Sequence, residues 1–129
     1  MNVLDENILE NQRQILQSQR IHVRQIGDDV GRKGMKDDKI ISWLPTQRNP
    51  TFFTRDLGFH ERKLCHARYC LVCLAVGRYE VATFVRRLLR HREFNTQARR
   101  MGTVIRVSRA GLKVWRLHIE KENILSWNN

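Results

Sequence analysis

The chain has 129 residues, of which 41% are hydrophobic and 29% charged, enough for one domain with a buried core and too apolar for disorder along its length. No apolar run approaches the roughly 18 residues of a membrane span, so no membrane partner is expected. Asp5 and Glu6 stand where a secretory leader would carry basic residues, and three cysteines fit reduced thiols better than a disulfide framework, so the expected location is cytoplasmic. The formal net charge of +11 is divided unevenly: residues 1–61 hold nine Lys/Arg and nine Asp/Glu, whereas residues 62–129 hold fifteen against four. A neutral half with clustered acids and a strongly basic half point to a polyanionic partner, nucleic acid first, held by the basic half.

In chain order, Asn2-Val3-Leu4 reads as a short strand running into Asp5-Glu6-Asn7. A helix follows with Ile8, Leu9, Gln12, Ile15 and Leu16 on its inner face and Asn7 as its N-cap. Alternation from Arg20 to Ile26 predicts a second strand at or near a sheet edge. Glycines 27, 31 and 34 mark a loop, but no Gly-Lys-Ser/Thr follows to make it a phosphate loop. Asp37 and Asp38 open a short helix through Ile40, Ile41 and Leu44, which Pro45 stops. Phe52-Phe53-Thr54-Arg55-Asp56 reads as a buried strand that delivers its last polar residues to the sheet rim.

A short helical connection then leads to the continuous apolar run of residues 69–76, a central strand buried on both faces. Val81, Phe84, Val85, Leu88 and Leu89 fall at helical spacing within residues 79–93, with Arg86, Arg87 and Arg90 on the outer face. Residues 103–107 and 112–117 alternate around Ser108–Gly111 and predict a β-hairpin projecting Arg106 and Lys113. Trp127 in the tail is expected to dock on its own domain or on a twin subunit. Strands alternating with helices predict an α/β domain over residues 1–129: a three-layer α/β/α arrangement with a mainly parallel sheet and the closing hairpin at one edge.

Two strands that end in Asp, with a helix between them that starts in Asp, can bring three carboxylates to one crevice if the first and third strands are neighbours. Like charges so placed raise one another's pKa unless a cation intervenes. Hard oxygen donors suit Mg²⁺ or Mn²⁺, which activate water and neutralise charge at a phosphodiester. The competing explanation is that strand-end and helix-start acids are simply common, as dipole partners and turn formers.

Leu4-Asp5-Glu6-Asn7, Gly34-Met35-Lys36-Asp37-Asp38-Lys39-Ile40-Ile41 and Thr54-Arg55-Asp56-Leu57-Gly58-Phe59 together resemble the short PIN-like domain family of prokaryotes, which is similar to VapC-type toxin nucleases. The resemblance covers roughly residues 1–60. It implies a Mg²⁺- or Mn²⁺-dependent ribonuclease, the toxin of a toxin–antitoxin pair, with an RNA substrate, a small antitoxin protein as partner and a homodimer as the assembly. It further implies metal-binding and catalytic roles for Asp5, Asp37 and Asp56, with Glu6 and Asp38 as adjacent reserves and Thr54 steadying the turn. Gly58 departs from the pattern, which often has a second Asp in this turn; Glu61 is the candidate substitute. The alternative that this departure raises is a PIN-like binding module with weak or no catalysis.

His60, Cys65, His66, Cys70 and Cys73 suggest a zinc site by composition. Within a strand, however, residues 70 and 73 point to opposite faces and cannot share one ion, so buried thiols are expected. Arg55, Arg86, Arg87, Arg90 and Arg106 remain as candidates to position a phosphate backbone without reading sequence.

Overall fold

The computed structural model describes residues 1–128. Seven strands form one sheet: β1 (Asn2–Leu4), β2 (Arg24–Gln25), β3 (Thr51–Thr54), β4 (Cys70–Leu74), β5 (Thr103–Ser108), β6 (Gly111–Arg116) and β7 (Asn123–Leu125). Their spatial order is β2-β1-β3-β4-β5-β6-β7. The first four pairings are parallel, and the last two, β5 with β6 and β6 with β7, are antiparallel. The helices are α1 (Glu10–Ser18), α2 (Asp37–Trp43), α3 (Val81–Arg90) and α4 (Gln97–Arg100), with single 3-10 turns at Leu44–Thr46, Leu57–Phe59 and Arg62–Leu64. No helix among the described residues is long and apolar enough to cross a membrane.

Side-chain alternation along the parallel strands builds two cores. On one face Leu4, Phe53, Cys70, Val72 and Ile105 meet Leu16 of α1 and Val81, Phe84, Val85 and Leu88 of α3. On the other, Val3, Phe52, Leu71, Cys73 and Val104 meet Ile40 of α2 together with Leu44 and Phe59. The sheet is therefore covered on both faces, which is why β3 and β4 are buried along their whole length and β4 is a continuous apolar run. Cys70 and Cys73 fall into different cores, and both thiols are pushed up to about 12 by burial. The zinc alternative loses its shared ligand pair on this geometry.

Several boundaries differ from the sequence expectation. Asn7 is exposed and Leu9 is the residue preceding α1, so Asn7 does not cap the helix. The reason lies in β2, where the Gln25 Nε2 donates to the carbonyls of Asp5, Glu6 and Ile8 at 3.2, 3.3 and 2.8 Å and holds residues 5–8 in a turn. Ile15, expected on the inner face, is 41% exposed. Gln12 is buried instead, and its side-chain carbonyl accepts the N–H of Ala82 at 2.9 Å in the first turn of α3. The second strand is shorter than the alternating stretch, because Arg20 takes a φ of 61° where α1 ends and only residues 24–25 pair.

Beyond the expected elements lies β7, which the polar tail conceals. Gly111 admits it: with φ at +148°, its missing Cβ would stand 2.4 Å from the carbonyl oxygen of Leu125. Trp127 docks on its own chain, its indole N–H donating to Ser108 O at 2.7 Å while Arg87 lies 4.3 Å over the ring.

Candidate active site

Parallel pairing of β1 with β3 brings Leu4 opposite Phe53, and the ladder continues one step further, with Asp5 N–H donating to Phe53 O at 2.9 Å. Asp5 and Thr54 thus leave the sheet side by side at the carboxyl ends of their strands, where open α/β sheets place ligands. The Thr54 hydroxyl donates to Asp5 Oδ2 at 2.7 Å and accepts the Asp56 N–H at 3.0 Å. One buried hydroxyl therefore sets the carboxylate of β1 and the backbone of the turn after β3 in fixed relation.

Asp56 itself closes the following 3-10 turn, its Oδ1 accepting the Gly58 N–H at 2.9 Å. A Cβ on residue 58 would stand 3.0 Å from that same oxygen, so the glycine leaves Asp56 room to turn back on its own backbone. Asp37, at the start of α2, lies within hydrogen-bonding reach of Asp56, and burial followed by the Asp56 charge raises its pKa. Burial is also the main reason that the Asp5 carboxyl is raised, with Glu6 and Asp37 adding repulsion and the Thr54 hydroxyl opposing it. Three acids from distant parts of the chain are electrostatically in contact at this rim.

The neighbouring candidates have other employment. Glu6 Oε1 accepts the Gly34 N–H at 2.9 Å, pinning the loop that leads into α2. Asp38 is exposed and adds to the repulsion on Asp37. Glu61 is exposed and pairs with Lys63 at 3.5 Å. Asn7 is exposed. Among the described residues, no three His, Cys, Asp or Glu side chains meet the spacing of a ready metal centre. The chemistry of the donors nevertheless fits a hard divalent cation, since Asp5, Asp37 and Asp56 all offer carboxylate oxygens, and at Asp5 and Asp37 burial, with neighbouring acids adding to it, raises the pKa.

The basic candidates separate into two surfaces. Arg55 is exposed beside the acids, its Nε donating to Val76 O at 3.0 Å. Arg106 lies on the same sheet face, through the register Thr54–Cys73–Arg106 across β3, β4 and β5. Arg86, Arg87 and Arg90 belong to α3, which packs on the opposite face. The sequence shows them as one basic half, but the sheet divides them.

Two supports were not legible as candidates. Arg13 of α1 holds Asp28 at 2.7 Å and Asp29 at 2.8 Å, bracing the loop before α2. Gln25 braces the turn after Asp5. Neither has a sequence signature, since each acts through backbone and loop contacts set by the tertiary fold. Comparison of the chain with protein-family models, curated proteins and solved structures finds no match.

Proposed function

We propose that this chain is a PIN-like, Mg²⁺- or Mn²⁺-dependent endoribonuclease acting as the toxin of a toxin–antitoxin pair. The convergence of Asp5, Asp37 and Asp56 at the carboxyl rim, with the pKa of Asp5 and Asp37 raised, carries this reading. When bound there, a divalent cation supplies an activated water and neutralises charge developing at a phosphodiester. Asp5, Asp37 and Asp56 would hold it, and the Thr54 hydroxyl fixes two of the three relative to each other. Water oxygen forms the new bond to phosphorus, the bond to the departing sugar oxygen breaks, and that oxygen takes up a proton. Arg55 and Arg106, on the side of the acids, are the arginines suited to a substrate strand. The α3 arginines are left to other contacts, such as an acidic antitoxin segment.

A second reading rests on Gly58. Because Asp56 spends one oxygen on the Gly58 N–H, the chain fits a PIN-like module that binds RNA or a partner with little catalysis.

Incubation of purified protein with labelled single-stranded and structured RNA, with Mg²⁺, Mn²⁺ or EDTA, separates the two. The nuclease reading expects metal-dependent cleavage that falls by at least about 100-fold in Asp5→Asn and in Asp56→Asn. Unchanged cleavage in both variants would show that the acids are not the site. RNA binding without cleavage in any metal assigns the chain to the second reading.

A further inference from the structure

Beyond the acidic rim, the same sheet face carries a second polar group that no ion pair neutralises. Arg106 of β5 and Lys113 of β6 are direct cross-strand partners, and partners in register point to the same face. Like charges directly opposite one another on adjacent strands destabilise a sheet. Among the described residues, neither has a carboxylate within ion-pair distance, and the buried Nε of Arg106 finds no acceptor. Both side chains line a cleft of about 250 Å³, bounded by the Ala110–Gly111 turn and by Ile124, which is 76% exposed. A repelling cation pair, an orphaned guanidinium N–H and a concave wall together describe an anion's place. The size and the two cations fit a phosphate group better than a carboxylate, which one arginine fork would satisfy.

Position says which phosphate. From Asp5 the row runs through Thr54, Cys73 and Arg106 to Lys113, one residue per strand in register. At about 4.8 Å per strand, Arg106 stands roughly 14 Å from Asp5 along the sheet rim. A polynucleotide with one phosphodiester at the acids would lay a phosphate further along its backbone into this cleft, with Ile124 offering an apolar wall to a sugar or base.

We infer that the Arg106–Lys113 cleft binds a backbone phosphate of a single-stranded RNA, a few nucleotides from the phosphodiester at the acidic rim. The identity of the strand rests on the nuclease reading above; the phosphate site itself does not.

The test is made in EDTA, so that metal and cleavage play no part. Binding of a labelled single-stranded RNA of about eight nucleotides is followed by anisotropy across a salt series. In parallel, the Arg106 Nε–H signal is followed by NMR during titration with inorganic phosphate and with a nucleoside monophosphate. Arg106→Gln and Lys113→Glu are each expected to weaken RNA binding at least about fivefold at low salt. Each should also flatten the salt slope by about 0.7, the contribution of one single-strand phosphate contact. Arg90→Gln, on the opposite face, should stay within about twofold. Lys113 is exposed, so Lys113→Glu does not threaten the core, and replacing repulsion by attraction to Arg106 should raise its melting temperature while RNA binding falls.

An Arg106 signal that moves with phosphate or monophosphate, while RNA binding is indifferent to both substitutions, upholds a phosphate site and overturns the strand as its source. Unchanged RNA binding in both variants, with an Arg106 signal that phosphate does not move, overturns the site. A chain that binds RNA through this cleft yet never cleaves it would fail the nuclease reading and leave the phosphate site standing.

Discussion

Asp37 illustrates how a residue can be plain in the sequence while its state is not. Its place at the start of a short helix follows from Asp37-Asp38 ahead of Ile40 and Leu44, and α2 begins there. What raises its pKa is burial and the charge of Asp56, nineteen positions away, which only the fold supplies. Asp5 is raised as well, chiefly by burial. Both carboxyls therefore bind a proton more tightly in the folded chain than in the unfolded one. As pH rises from the ordinary carboxylate value through the raised ones, the unfolded state loses its protons first and stability declines across that window. Asp37→Asn should remove part of this penalty and raise the melting temperature at neutral pH by about 1–3 °C. Mg²⁺ should raise the melting temperature of the parent chain and lose that effect in Asp37→Asn. Thermal melts over a pH and metal series check both, and a variant melting below the parent at neutral pH would contradict the repulsion.

Elements were legible where their own residues carry the pattern. Phe52-Phe53 and the run Cys70–Leu74 announce buried strands, and the spacing of Val81, Phe84, Val85 and Leu88 announces α3. The signal failed where backbone pairing or a distant side chain decides. Asn7 has the chemistry of a cap, but Gln25 reaches across from the edge strand and takes three carbonyls of that segment, so the chain turns and α1 starts three residues later. Strand β7 forms around an exposed Ile124 and leaves no alternation to read. Gln25→Met keeps the bulk of the side chain and removes its donor. Stability by urea unfolding should then fall by about 1–3 kcal/mol, because buried carbonyls lose their partner. If the turn after β1 positions Asp5, activity should fall further than this loss of stability explains. A variant as stable as the parent would show that water replaces the amide.

At the scale of the whole molecule, the asymmetry between a neutral half and a basic half survives folding only in part. The sheet draws β1, β2 and β3 from residues 1–61 and the remaining strands from residues 62–128, so the acids and Arg106 share one rim. The α3 arginines go to the far face, and Arg87 spends its charge over Phe84 and Trp127, at 5.2 and 4.3 Å from the ring centroids. A linear charge count could not separate these groups, because sidedness depends on which core each element joins. With a formal charge of +11, the folded chain also repels itself. Raising NaCl from about 20 mM to about 300 mM should lift the melting temperature by about 2–4 °C as the repulsion is screened. A melting temperature that fell with salt would mean that the few ion pairs outweigh the net charge.

The change from parallel to antiparallel pairing at β5 also bears on the order in which the chain acquires structure. Strands β5 and β6 are separated by residues 109–110 alone, and β7 follows after residues 117–122, so their contacts close short loops at small entropic cost. The pairing of β1 with β3 must instead bring together Leu4 and Phe53, with two helices, a 3-10 turn and an edge strand in between. Contacts local in sequence tend to form before distant ones. The last strands of the chain should thus be the first to hold together, and the acidic rim should assemble late, from the segments that arrive last. Valine-to-alanine substitutions at Val114 and Val3, both fully buried, should give a high φ-value at the first and a low one at the second; the reverse order would place the nucleus at the rim.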